Sequence, residues 1–134
     1  MLREIVAHAR QDAPDECCGL LIGPAPPPGA DGPALIDEAV RAANLERGPA
    51  RYRVDPAQHV ALQKRLRGTG RIIAGAYHSH PRTDAVPSRS DLDEAFYPDF
   101  VYVIVSLKRP RGPVVRAWRI RDAAATEMTI ERIP

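Results

Sequence analysis

The chain has 134 residues, 44% of them hydrophobic, and its 19 basic and 17 acidic side chains leave a net charge of +2. That is the length of one ordinary domain with room for a core, which excludes a disordered or fibrous chain. No apolar run approaches a membrane span and no charged-then-apolar leader opens the sequence, so no membrane partner is expected and a cytoplasmic location is.

The arginines are scattered, and only four tyrosines and two phenylalanines are present to stack bases. A nucleic-acid partner is therefore not expected. The small positive excess suits, at most, the steering of an acidic protein partner.

Leu2, Ile5, Val6, Ala9 and Ala13 recur at helical spacing and predict an opening amphipathic helix that stops before Pro14. His8 falls off that stripe and reads as a surface residue. Residues 17–22 form an apolar run bounded by glycines, the pattern of a buried strand. Within it Cys17 and Cys18 are adjacent and point to opposite faces, so a disulfide between them is disfavoured; both are expected reduced and partly buried. Residues 24–33, rich in proline and glycine, predict a surface loop.

Residues 34–43 read as a strand ending at Asn44, and residues 52–55 as a short extended piece. Asp55 as N-cap and Pro56 at the first helical position predict a second helix to about Arg67, closed by Gly68-Thr69-Gly70. His59 on that helix reads as a surface residue. Residues 71–77 predict a strand that delivers His78 and His80 at its exit. A short helix is expected over 88–96 and strands over 100–107, 114–120 and 126–133, with Trp118 packing on a sheet face. Helices interleaved with about six strands predict an α/β class with a mixed sheet, in a single domain spanning 1–134.

The segment His78-Ser79-His80-Pro81, followed by Pro87-Ser88-Arg89-Ser90-Asp91, carries the chemistry. Side chains two apart on an extended backbone share a face, so both imidazoles can reach one point. Asp91 supplies a third ligand after a short loop. Two imidazoles and a carboxylate with no fourth protein ligand is the donor set of a catalytic zinc site. Each piece also has an ordinary reading. A His-x-His pair at a strand end is commonly satisfied by hydrogen bonds, and Ser88-x-x-Asp91 resembles a capping box that merely starts a helix. Capping and metal binding are compatible here, since Asp91 in the first turn can still point back to the histidines.

This stretch resembles the JAMM motif of the MPN-domain metalloproteases, in their stand-alone prokaryotic form. The upstream element of that motif, a glutamate before Cys-Gly and an apolar strand, is matched by Glu16-Cys17-Cys18-Gly19-Leu20-Leu21-Ile22. The resemblance implies a curved mixed sheet flanked by helices, similar in layout to cytidine deaminases, with one zinc ion per chain held by His78, His80 and Asp91. It implies that Glu16 is the general base and acid, and that Ser88 hydrogen-bonds the oxyanion of the tetrahedral intermediate. Zinc at such a site lowers the pKa of its water to about 7. The family pattern also sets Asn44 and Tyr52 near the groove beside the metal, outside the catalytic set.

Competing signatures are missing: there is no His-Glu-x-x-His and no Pro-Cys-x-x-Cys. The resemblance thus implies a zinc peptidase or isopeptidase acting on C-terminal tails or conjugates of ubiquitin-like, sulfur-carrier proteins. Two other functions fit parts of the pattern. A non-catalytic MPN scaffold would lack metal ligands, and this chain lacks none. A hydrolase of small amides or cysteine conjugates would need the same metal chemistry.

Overall fold

A computed structural model describes residues 1–29, 33–49 and 51–133. Among these the chain forms α1 (Leu2–Asp12), β1 (Cys18–Pro24), β2 (Glu38–Ala42), α2 (Pro56–Leu66), β3 (Arg71–His80), α3 (Arg89–Asp93), β4 (Val101–Ser106), β5 (Val114–Arg121) and β6 (Ala124–Met128). The strands make one sheet in the order β2-β1-β3-β4-β5-β6. Only β3 and β4 are parallel, joined by a crossover that contains α3; the other neighbours are antiparallel. This is the mixed α/β sheet that the sequence predicts. No helix among the described residues is long and apolar enough to cross a membrane.

The central strands are buried on both faces, which is why residues 17–22 and 101–106 read as unbroken apolar runs. On one face Cys17, Leu21, Tyr77, Val103 and Val105 pack against Ile5 and Ala9 of α1. On the other, Leu20, Ile22, Ala76, Ile104 and Trp118 pack against Leu62 and Leu66 of α2. Each large apolar side chain so buried contributes about 1.5–3 kcal/mol. The α2 start is as the sequence predicts: Asp55 Oδ1 accepts from Ala57 N at 2.9 Å and Pro56 opens the helix.

Several expectations are corrected. Of residues 34–43 only Glu38–Ala42 pair with β1; the segment before them runs close over Gly23, where a side chain would strike the Leu35 carbonyl. Pro24 is the last residue of β1, opposite Arg71, rather than part of the loop. Ala30, Asp31 and Gly32 of that predicted loop lie outside the described residues. The last strand starts two residues early and ends at Met128, because Asp122 and Ala123 make the hairpin turn with φ of 52° and 57°. A turn with two left-handed residues usually announces itself with glycine, and Ala123 gives no such signal.

α3 stops at Asp93 rather than running to Phe96. Beyond it the Tyr97 N–H is taken by the Tyr102 hydroxyl at 3.3 Å. His8 is buried rather than exposed, with Nδ1 2.7 Å from the Tyr77 hydroxyl. Tyr77 lies flat over Gly19, where any Cβ would fall about 2.2 Å from its ring, and its buried hydroxyl requires a polar partner. His8 is that partner. Both cysteines are free and fully buried, more deeply than their sequence context suggests.

Candidate metal centre

β3 extends through His80, three residues beyond its predicted end, because its last residues keep their ladder with β4: His78 faces Ile104 and His80 faces Ser106. Both histidines therefore project from one face of a rigid central strand. They are 2% and 4% exposed. Their Nε2 atoms lie 3.2 Å apart, and each lies 3.0 Å from the same oxygen, Asp91 Oδ2.

Asp91 is delivered by the capping box. Ser88 Oγ accepts from Asp91 N at 3.1 Å while Ser88 N donates to Asp91 Oδ2 at 2.9 Å. The same carboxylate oxygen that closes the box meets the two imidazoles, so capping and convergence are one arrangement. Ser88 Oγ spends an acceptor lone pair on the cap and keeps its O–H free to donate.

The His80 ring is fixed from behind. Its Nδ1–H donates to the Asp84 carbonyl at 2.7 Å, which leaves Nε2 a bare lone pair in the neutral ring. That lone pair faces a carboxylate oxygen at 3.0 Å, an arrangement that repels unless a proton or a metal ion lies between the two atoms. Ligands of a tetrahedral zinc lie about 3.3 Å from one another, given bonds of about 2.0–2.1 Å, close to the separations seen here. The donor set and its spacing fit a zinc ion. The loop that supplies the Asp84 carbonyl is itself pinned, by Ser106 Oγ donating to Thr83 O and by Trp118 Nε1 donating to Ala85 O at 2.9 Å.

Glu16 enters from the segment just before β1. Cys18 pairs with His78 across the ladder, and Cys17 pairs with Ser79 through Ser79 N to Cys17 O at 3.1 Å and Cys17 N to Ser79 Oγ at 2.8 Å. Continuing that register brings Glu16 beside His80. Glu16, His78 and His80 offer ligand atoms all within 4.8 Å of one another, and Asp91 Oδ2 lies 3.0 Å from both rings. Glu16 is 4% exposed and its Oε1 has no hydrogen-bond partner among the described residues. Its backbone is held by Gly48 O, which accepts from Glu16 N at 2.6 Å, and by Asn44 Nδ2, which donates to Glu16 O at 3.0 Å.

Burial pushes the Glu16 carboxyl up, to about 8; the charge of Asp91 adds to the rise and that of His80 opposes it. Burial works on Asp91 in the same direction, but hydrogen bonds from the two imidazoles outweigh it and hold that carboxyl well below the usual range. For His78 burial prevails and lowers its pKa, whereas for His80 the Asp91 and Asp84 hydrogen bonds outweigh burial and raise it. The two carboxyls of the site are thus driven apart, Asp91 below the usual carboxylate range and Glu16 above it.

All five residues singled out in the sequence meet here. Neither His8 nor His59 does. Reading the sequence alone misses Ser79, whose side chain points to the opposite face from its histidine neighbours, and the part played by Trp118 through its N–H. Tyr52 stacks on the His78 ring, centroids 4.2 Å apart and planes 16° from parallel; only the family resemblance had drawn it toward the site.

The sheet order is that of a JAB-type domain, with this cluster at the end of its third strand. Residues 1–121 match the model of the prokaryotic homologs of the JAB domain, and the chain belongs to that family. It is 39% identical over 127 residues to the CysO-cysteine peptidase of Mycobacterium tuberculosis, covering 95% of this chain and 83% of that protein. It is 35% identical over 108 residues to the Desampylase of Haloferax volcanii, covering 76% and 73%. Among solved structures, a protein from Desulfitobacterium hafniense superposes with a TM-score of 0.82 at 34% identity, over 95% of this chain and 84% of that one. A JAB1/MPN domain protein from Archaeoglobus fulgidus shares the fold with a TM-score of 0.60 at 21% identity, over 97% and 89%.

Proposed function

We propose that this chain is a zinc-dependent peptidase or isopeptidase, one domain over residues 1–134, that cleaves the amide bond joining the C-terminal tail of a ubiquitin-like sulfur-carrier protein to its attached group. The single observation that carries the chemistry is the meeting of His78, His80 and Asp91 Oδ2 within 3.2 Å of one another, with the buried Glu16 alongside. The substrate class is supported by two relatives whose names are CysO-cysteine peptidase and Desampylase. A cytoplasmic setting follows for an enzyme of such carriers, and in it both buried thiols stay reduced.

In this reading His78, His80 and Asp91 hold one zinc ion, which when bound polarises the scissile carbonyl and makes a nucleophile available at neutral pH. Glu16, lacking a partner at Oε1, takes the proton of the attacking water and returns it to the departing amine. Ser88 points its free O–H at the oxygen on which charge develops, a donor of the type worth roughly 2.7–4 kcal/mol. Asp91 stays ionised throughout.

Purified protein is expected to carry one zinc per chain by elemental analysis. It is also expected to cleave a sulfur carrier extended beyond its terminal Gly-Gly, losing that activity to a chelator and regaining it with zinc. Undiminished cleavage by chelated, metal-free protein would overturn the reading.

A further inference from the structure

The two histidines of the cluster are held in different ways. His80 is fixed by the hydrogen bond from its Nδ1 to the Asp84 carbonyl, the usual device for a metal-ligating imidazole. His78 has no such bond: its Nδ1 is buried without a partner among the described residues. What lies against His78 is the face of Tyr52, nearly parallel to the imidazole at 4.2 Å. An imidazole that lacks a hydrogen bond behind it can still be prevented from turning about its Cβ–Cγ bond if a flat ring blocks the swing on one side and the sheet blocks it on the other.

Tyr52 in turn is held by Asn44. The Asn44 side chain donates from Nδ2 to Arg51 O at 3.2 Å and accepts at Oδ1 from Arg53 N at 2.8 Å, gripping the residues on both sides of Tyr52. Its second Nδ2 hydrogen bond goes to Glu16 O, and Asn44 bridges to Val54 through the backbone. One amide therefore ties the segment that presents Tyr52 to the backbone of Glu16.

We propose that Tyr52 is a positioning residue that sets the rotation of the His78 ring by stacking in place of a hydrogen bond, and that Asn44 acts through it by fixing the Tyr52 segment. This rests on the metal-binding reading above. It assigns to an aromatic face the orienting task that hydrogen-bonding partners behind metal ligands commonly perform, whose loss costs about 10–100-fold in metal affinity.

The test uses the full chain and zinc alone, with affinity measured by competition against a chromophoric chelator. Tyr52→Phe keeps the stacking face and is expected to bind zinc as wild type does. Tyr52→Leu keeps apolar bulk without a flat face and is expected to lose about tenfold in affinity. Melting of the metal-free proteins reports whether each variant folds as wild type does. Asn44→Ala is expected to weaken binding as well, and Asn44→Ala combined with Tyr52→Leu to lose no more than Tyr52→Leu alone, because both act on one path. A folded Tyr52→Leu that binds zinc as tightly as wild type would overturn the positioning role while leaving the metal site standing. Additive losses would overturn the part given to Asn44. A wild type that binds no zinc would overturn the metal-binding reading itself.

Discussion

Cys17 and Ser79 hold each other by two hydrogen bonds, Cys17 N to Ser79 Oγ at 2.8 Å and Ser79 N to Cys17 O at 3.1 Å. Neither side chain reaches the cluster of His78, His80 and Asp91. Yet Cys17 follows Glu16 in the chain, and Ser79 separates His78 from His80. The pair therefore sets the distance between the segment that brings Glu16 and the strand that brings His78 and His80. Ser79 is fully buried, so its hydroxyl is there to satisfy a backbone N–H that β3 itself leaves unpaired at this position.

Ser79→Ala is expected to leave the Cys17 N–H buried without an acceptor, at a cost of about 1–3 kcal/mol in stability. Turnover is expected to fall further than zinc affinity does, because the ligands keep their ladder with β4 while Glu16 loses its register. Urea denaturation and zinc competition measured on the same preparation test this. Unchanged stability would mean that the N–H finds another acceptor.

Glu16→Gln separates chemistry from stability. Burial holds the Glu16 carboxyl at about 8 instead of 4.5, so between those values the metal-free folded chain keeps a proton that the unfolded chain has released. A folded state that binds more protons than the unfolded one loses stability as pH rises through that window. The amide does not titrate. In the presence of chelator the variant is expected to match wild type near about pH 4 and to exceed it by an amount on the order of 1–3 kcal/mol near about pH 8. With zinc its hydrolysis is expected to drop by about 10²–10⁴-fold. Denaturation curves at the two pH values check the first half and single-turnover rates the second. A pH-independent difference between variant and wild type would mean that Glu16 is not held neutral in the fold.

Trp118 is expected to matter beyond its bulk. Its N–H donates to Ala85 O, one residue past the carbonyl that fixes His80. Trp118→Phe removes that bond together with part of the buried ring. A loss of about 1 kcal/mol in stability is expected, together with a severalfold weaker hold on zinc as the loop relaxes. Chelator competition measures the second effect; full zinc affinity would show that the loop is held well enough by Ser106.

Much of this arrangement is legible in the residues because the strongest signals are local. The i, i+2 spacing of His78 and His80 needs only an extended backbone, and Ser88-x-x-Asp91 needs only a first helical turn. Asp55-Pro56 marks the start of α2 by the same local logic. Most of what stays hidden depends on partners far along the chain. His8 reads as surface until Tyr77, 69 residues away, brings a buried hydroxyl against it. Ser79 reads as a spacer until β1 pairs with β3. The hairpin at Asp122 and Ala123 escapes because alanine seldom adopts the left-handed conformation that the turn imposes. For His8 and Ser79 the deciding partner comes from a distant part of the chain; for the hairpin the cause is local and simply unannounced by its residues.

The approach to the cluster sets the last expectation. His78, His80 and Glu16 are each at most 4% exposed and Asp91 is 9% exposed, with Tyr52 lying over His78 and the 81–87 loop on the far side. A scissile bond can reach these groups only on a slender chain. An extended tail ending in Gly-Gly is such a chain, whereas a β-branched residue in place of the last glycine adds at least three heavy atoms where these side chains are packed most closely. With a sulfur carrier bearing a short extension, cleavage after the second glycine is expected, read from the mass of the product. Substituting valine for that glycine is expected to lower kcat/KM by about 5- to 150-fold, since overpacking costs of about 1–3 kcal/mol in a close-packed site fall on the reacting position itself. Tyr52→Ala, by opening one wall, is expected to recover part of the loss for the valine substrate while slowing the glycine one. Equal rates on both substrates with the wild-type enzyme would mean that the scissile bond is presented from a more open direction than the buried cluster allows.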